Sequence, residues 1–194
     1  MLINNFKGGI IIGTDIYLHW KGQTKEEEKK QATGFAIDAG NVGYLRASIG
    51  MYNENALLRE IFPKKYWEPT KKDLKVIGKK TYSWDKEHKE YDIEIVPYDF
   101  KENFPKLKTL LSQYLLYNIE GVRLEHKDAK PQREMGKKIV ELLGEAGFDK
   151  EQIFISEGGD IETAIMFANS LLQFFWLGMD KQEEKKVVGI YISW

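Results

Sequence analysis

Two short acidic clusters contain the residues of this sequence best suited to chemistry. Each cluster lies at the end of a segment, 122–125 or 153–156, that is predicted to form a short strand. If these strands run parallel, their carboxyl ends meet at one edge of the sheet, where the ligands of open α/β sheets bind. The pattern therefore predicts that the two clusters converge. Their members are Glu125, His126, Lys127, Asp128, Glu157 and Asp160.

The chemistry expected of such clusters is the binding of a divalent cation. Carboxylate oxygens are the ligands that magnesium and manganese prefer, so Glu125, Asp128, Glu157 and Asp160 are candidate metal ligands. A bound cation could neutralise phosphate charge and activate water. One predicted function is therefore a divalent-metal-dependent phosphoesterase or nuclease, with Glu125, Lys127 and Glu157 as candidate catalytic residues and magnesium or manganese as cofactor.

The triplet Glu125-His126-Lys127 resembles the acid-x-lysine element of the PD-(D/E)xK nucleases. The resemblance covers these few residues and implies an upstream acid, for which Asp99 is the candidate. It departs from the family because a predicted helix over residues 104–117 separates Asp99 from Glu125. A structural interpretation also accounts for the same residues, since loop carboxylates are normally solvated and Asp160 can cap the helix that follows it.

Composition excludes several other classes of site. The sequence has 29 basic and 30 acidic side chains, so it lacks the basic excess that provides most of the affinity for DNA or RNA. It contains no cysteine, which excludes disulfides, thiolate nucleophiles and cysteine-bound zinc. The histidines His19, His88 and His126 lack the short spacing of a zinc site, and His19 is interpreted as a packed strand residue. Because the basic and acidic side chains balance, nucleic-acid binding is not expected.

Two aromatic residues indicate a different kind of site. Tyr66 and Trp67 lie between lysines and a proline in residues 64–69, a pattern that predicts rings on an exposed segment. Such rings anchor protein interfaces. The leading prediction is therefore a non-catalytic binding protein without a cofactor. It would act on a protein partner, as an inhibitor, immunity or regulatory protein does, or self-associate.

The first hundred residues, which would position part of these sites, are predicted to be β-rich. Residues 13–15 and 38–41 have turn chemistry between apolar runs, which predicts antiparallel hairpins, although the first of them could also lie in one kinked strand. The spacing of Thr24 and Glu27 is that of a capping box and indicates a short exposed helix, or else a polar excursion between strands. Further strands are predicted at residues 74–84 and 91–96.

Helices and strands alternate in the second half of the sequence. Helices are predicted at residues 104–117, 131–146 and 161–177, and strands at residues 122–125, 153–156 and 187–194. Strands separated by helices usually pair in parallel. The predicted fold is therefore α+β, in which a β-rich N-terminal half merges into an αβαβαβ C-terminal half with a partly parallel sheet. No linker is apparent, so residues 1–194 are predicted to form a single domain, with any subdomain boundary near residues 100–103.

The segment of residues 161–177 is the most apolar of the predicted helices. Polar residues interrupt it at Glu162, Asn169 and Gln173, whereas a membrane span needs about 20 consecutive apolar residues. We therefore predict a helix that is buried over most of its circumference, and no membrane association. Residues 1–7 lack the features of a secretory signal, so a cytoplasmic protein is expected.

Overall fold

The computed structural model describes residues 13–33, 40–48, 52–81, 89–124 and 161–193, which form a mixed α and β structure. The strands are β1 (Gly13–Trp20), β2 (Tyr44–Ser48), β3 (Lys75–Thr81), β4 (Glu90–Pro97) and β5 (Val188–Ser193). The helices are α1 (Lys25–Thr33), α2 (Tyr52–Ile61), the single turn α3 (Lys64–Trp67), α4 (Phe100–Leu124) and α5 (Ile161–Glu183). A short 3-10 turn at Gly40–Val42 precedes β2.

The five described strands form one sheet in the order β2-β1-β5-β4-β3. All the pairings between them are antiparallel. The central strand β5 pairs with β1 on one side and β4 on the other, which brings the end of the chain between strands from its first half.

Alternation along β1 separates two faces of the sheet. Ile16 and Leu18 are fully buried and stand opposite Leu45 and Ile190 on the neighbouring strands, so these apolar residues share the face that packs on the helices. The residues between them form the second face, where Asp15 lies opposite Arg46, and Tyr17 lies opposite Tyr44 and Tyr191.

Helices α2, α4 and α5 cover the first face and form one hydrophobic core with it. The inward side chains of α5, Phe167, Leu171, Phe174 and Phe175, are at most 1% exposed, and they belong to the same cluster as residues of β1, β2, α2, α4 and β5. Because α4 and α5 pack on each other over this sheet, a long helix pair forms the second layer of the structure.

The sheet differs from the sequence prediction because it is not partly parallel in the described residues. Gln182 near the end of α5 accepts hydrogen bonds from the backbone N–H groups of Phe100 (3.0 Å) and Lys101 (3.2 Å) at the start of α4. The chain therefore leaves α5 close to where it entered α4. Consequently β5 begins beside the end of β4, with Gly189 opposite Pro97, and must run antiparallel to it.

Among the predictions for single elements, some are confirmed, some are wrong and some lie outside the described residues. The capping box is confirmed, since the N–H of Thr24 donates to Glu27 (2.8 Å) and the N–H of Glu27 donates to the Thr24 hydroxyl (3.2 Å). The predicted strand at residues 122–125 is wrong over residues 122–124, which continue α4. Residues 13–15 begin β1, so they are not the turn of a hairpin; the alternative, one kinked strand, also involves residues 10–12, which lie outside the described residues. The predicted helix at residues 131–146 and strand at residues 153–156 lie outside the described residues.

Candidate functional site

The outward side of α5 carries an apolar surface that is exposed. Ile165, Met166 and Trp176 are 54%, 68% and 48% exposed, although each is large and apolar. Because a helix advances by 100° per residue, positions 165, 169, 172, 173 and 176 fall on one side, with position 166 beside them. We call this surface the outer stripe. Its members are Ile165, Met166, Asn169, Leu172, Gln173 and Trp176.

The opposite side of the same helix holds the outer stripe in place. Ala164, Phe167, Leu171, Phe174 and Phe175 are buried in the core, which fixes the rotation of α5 about its axis. The helix was predicted from its sequence, and its existence is confirmed. We also predicted that the helix is buried over most of its circumference. The structure shows that the inward side is buried and that the outer stripe is exposed.

The outer stripe is electrically neutral. The sequence has no charged residue from Ala164 to Met179, and the charges resume at Asp180 and Lys181. Depletion of charge together with enrichment in aromatic residues and methionine is typical of the central part of protein interfaces. No helix among the described residues is long and apolar enough to cross a membrane.

Tyr66 and Trp67 lie in a different setting from the one predicted. Both are only 6% exposed, and both belong to the hydrophobic core. The Tyr66 hydroxyl donates to the carbonyl of Pro97 (3.0 Å), and the Trp67 indole N–H donates to the carbonyl of Phe62. Their predicted exposure is therefore wrong. A ring that is already buried offers little surface to a partner, so we do not include either residue in the candidate site.

The residues of the predicted metal site, from Glu125 to Asp128 and at Glu157 and Asp160, lie outside the described residues, and the site stays a prediction. Asp99 is described, and it caps α4. Its Oδ1 accepts hydrogen bonds from the backbone N–H of Glu102 (3.0 Å) and from the amide of Gln182 (3.3 Å). Within the described part of the chain, no group of three or more His, Asp or Glu side chains could hold a metal ion.

An open depression of about 460 Å³ lies beside this cap. Tyr66, Tyr98, Asp99, Glu102 and Gln182 are among its lining residues. Because Asp99 and Gln182 already satisfy backbone N–H groups of α4, the polar groups at this point stabilise the start of a helix. The depression therefore gives no indication of a ligand.

His19 is the centre of a second group of ionisable residues, on the second face of the sheet. The residue is 3% exposed, and its Nδ1 donates to the side-chain oxygen of Gln23 (2.8 Å). Burial lowers the pKa of His19 to about 4, with the Gln23 hydrogen bond raising this pKa and the charge of Lys80 lowering it. Burial also lowers the pKa of Lys80 and raises that of Glu28, while each of these two residues favours the charged form of the other. All three pKa values thus move toward the neutral form.

Hydrogen bonds beside this group of residues connect α1 to the sheet. Gln31 of α1 donates hydrogen bonds to the carbonyls of Leu18 (2.9 Å) and Gly43 (2.6 Å), and thereby ties α1 to the sheet next to His19. His19 is buried in its strand, as the sequence predicted. The sequence could not predict that Lys80 and Glu28 lie near it, since the three residues come from β3, α1 and β1.

Comparisons of the chain with protein-family models, with curated proteins and with solved structures found no match. The function of the site must therefore be inferred from its own geometry.

Proposed function

We propose that this protein is a non-catalytic binding protein that recognises a protein partner through the outer stripe of α5. The observation that supports the proposal is the exposure of Ile165, Met166 and Trp176 on one side of a helix that has no charge between Ala164 and Met179. Single exposed apolar residues are normal on protein surfaces, but a continuous uncharged stripe indicates an interaction site.

The free energy gained by burying apolar side chains favours the binding of a partner to this surface. Burial of a large apolar side chain stabilises a complex by roughly 1.5–3 kcal/mol, and interface anchors lose about 2 kcal/mol or more when they are truncated. Trp176 and Met166 are of the residue types that interface cores prefer. The buried inward side of α5 keeps these side chains in place before binding, so little conformational freedom of the helix is lost on association.

A protein partner also fits the rest of the described surface. The net charge of -1 does not favour nucleic acid, and the described residues contain no cluster that could hold a metal ion. Inhibitor, immunity and regulatory proteins act by this kind of surface recognition. A divalent-metal-dependent phosphoesterase or nuclease remains the alternative, and no described residue favours it.

Site-specific photo-crosslinking in the cells that produce the protein tests the proposal. A photoreactive amino acid at Asn169, in the middle of the outer stripe, should form a discrete covalent adduct with one protein. The matched control carries the same amino acid at Ser112, an exposed polar position of α4. The adduct from position 169 should also disappear in a Trp176→Lys background, because a charge in the stripe opposes burial.

Two results would contradict the proposal. Equal adducts from positions 169 and 112 would mean that crosslinking reflects chance encounters. Binding of the captured protein that is unchanged by Trp176→Lys would mean that the outer stripe is not the contact. Sedimentation analysis of the purified protein determines whether the captured partner is a second copy of the chain.

A further inference from the structure

Helix α1 is attached to the rest of the protein by polar side chains. Of its nine residues only Gln31 is buried. Among the described helices, α1 alone contributes no residue to the hydrophobic core. Elements with little buried apolar surface open locally at a lower free energy than the core does. Of the described helices, α1 is therefore the one best suited to detach while the core stays folded.

A chain of hydrogen bonds connects this helix to His19. The Nδ1 of His19 donates to the side-chain oxygen of Gln23 (2.8 Å), and the Gln23 amide donates to the side-chain oxygen of Gln31 (3.5 Å). Gln31 in turn donates to the carbonyls of Leu18 and Gly43, and these two hydrogen bonds anchor α1 on the sheet. The ring of His19 is thereby linked to the anchor of α1.

The surroundings of His19 oppose its protonation while α1 is attached. Because Nδ1 already carries a hydrogen, an added proton goes to Nε2 and places a positive charge on a ring that is 3% exposed. Burial lowers the pKa of His19 to about 4, and the positive charge of Lys80 lowers it as well. The attached state of α1 therefore holds the neutral ring.

The other charged groups near α1 have weaker effects or titrate at lower pH. Burial raises the pKa of Glu28, which opposes the effect of His19 in acid, but this shift is smaller than that of His19. Glu28 and Lys80 each favour the charged form of the other. Burial raises the pKa of Glu27, but its hydrogen bonds in the capping box and with Lys181 lower it more, so that it titrates below 4.5. Between pH 7 and pH 5, His19 is thus the main source of a pH effect on α1.

We propose that α1 is an acid-sensitive switch, which detaches from the sheet as a unit when His19 takes up a proton, while the core stays folded. Detachment brings water to the ring, so the pKa of His19 returns toward its ordinary value of 6.5. Between pH 6.5 and 4 the detached state therefore binds a proton that the attached state does not bind, and acid favours detachment. Above pH 6.5 the ring is neutral in both states and α1 stays attached.

Hydrogen exchange of the full-length protein, measured by mass spectrometry at pH 7 and pH 5, tests the switch. After correction for the intrinsic effect of pH on exchange, the opening constant of Lys25–Thr33 should rise by about 20-fold from pH 7 to pH 5, because the pKa of His19 differs between the two states. His19→Gln should lose this rise, since no proton binds at position 19. If His19→Gln is unfolded by circular dichroism, His19→Asn replaces it.

Low concentrations of urea separate detachment of α1 from unfolding of the whole protein. Global unfolding exposes much surface and depends strongly on urea, whereas local opening depends on it little. At pH 5 the exchange of α1 should therefore be faster than that of α5 and insensitive to urea, while the exchange of α5 accelerates. Equal exchange rates for α1 and α5 would mean that acid unfolds the protein globally, and would overturn the proposal.

The anchor of α1 is tested by Gln31→Ala. Loss of its two hydrogen bonds should raise the opening constant of α1 by at least about fivefold at both pH values. Lys29→Ala is the matched control, because Lys29 is exposed on the same helix, and its effect should stay within about twofold. The proposal is also overturned if the opening constant of α1 is equal at pH 7 and pH 5, if the His19 variant keeps the rise, or if Gln31→Ala and Lys29→Ala have equal effects.

Discussion

His19 shows how burial of one side chain makes the stability of the protein depend on pH. The pKa of the histidine is about 4 in the folded protein and 6.5 as its ordinary value, because the buried ring is far from water. The charge of Lys80 lowers this pKa further, and the carboxylate of Glu28 partly balances the charge of Lys80. A proton on His19 would therefore be buried beside another positive charge.

We predict that folding stability falls as the pH decreases from about 6.5 to about 4. In this window the unfolded chain binds a proton at position 19 and the folded protein does not, so the unfolded state gains stability, by up to about 3 kcal/mol near pH 4. Above pH 6.5 both states are neutral and the contribution of His19 is complete. Urea denaturation at a series of pH values measures the effect.

The control for this prediction is His19→Gln, which keeps a polar side chain and removes the titration. Carboxylates also titrate in acid, so the informative quantity is the difference in the free energy of unfolding between the native protein and the variant. That difference should change between pH 6.5 and 4 and be constant above pH 7. A difference that is constant over the whole range would contradict the burial of a neutral His19.

The contact between the 3-10 turn and α5 leaves no room for a side chain at Gly40. A Cβ at this position would lie 1.7 Å from the backbone carbonyl oxygen of Ser170, which cannot move without moving the helix. We predict that Gly40→Ala lowers the free energy of unfolding by about 3 kcal/mol, at the upper end of the usual effect of overpacking. Chemical denaturation measures the loss.

Gly22→Ala makes the same chemical change in a different setting. Gly22 has a φ of +82° and nothing within 4 Å of the added Cβ, so this variant meets only the conformational penalty of roughly 1–2 kcal/mol. If Gly40→Ala proves no more destabilising than Gly22→Ala, then the 3-10 turn does not pack closely on Ser170 of α5.

The accuracy of the sequence predictions at the level of elements depended on the range of the interactions involved. The capping box of α1 was predictable because Thr24 and Glu27 satisfy each other within one turn. The strand β4 was predictable because its acidic residues alternate with apolar or aromatic ones, a pattern that is visible in the sequence of the strand itself. The burial of Trp67 was not, because a single helical turn is exposed unless other elements cover it. Likewise, the antiparallel direction of β5 follows from the contact of Gln182 with α4, which joins residues 82 positions apart.

The candidate site itself was only half predictable. The apolar composition of residues 161–177 indicated a helix, but composition alone does not say which side packs on the core. Helical spacing offered the missing signal, because Ile165, Asn169 and Trp176 fall on the side opposite Phe167 and Leu171. Selection of the exposed side still required the positions of α4 and the sheet.

Across the whole molecule, α5 connects the core to the surface that we propose to bind a partner. Phe167 and Leu171 are 1% and 0% exposed and belong to the cluster that joins the sheet with α2 and α4, whereas Ile165 on the same helix is 54% exposed.

We predict that Phe167→Ala or Leu171→Ala lowers the free energy of unfolding by about 2–5 kcal/mol, since each leaves a cavity in the shared core. Because the cluster includes residues of the sheet and of α2, α4 and α5, tryptophan fluorescence and circular dichroism should report one coincident transition in each variant. Ile165→Ala is the matched control on the same helix, and its effect on stability should stay within about 0.5 kcal/mol. Separate transitions for the two probes would show that the core is divided, and a large loss for Ile165→Ala would show that the outer stripe is part of the folded core instead of a free binding surface.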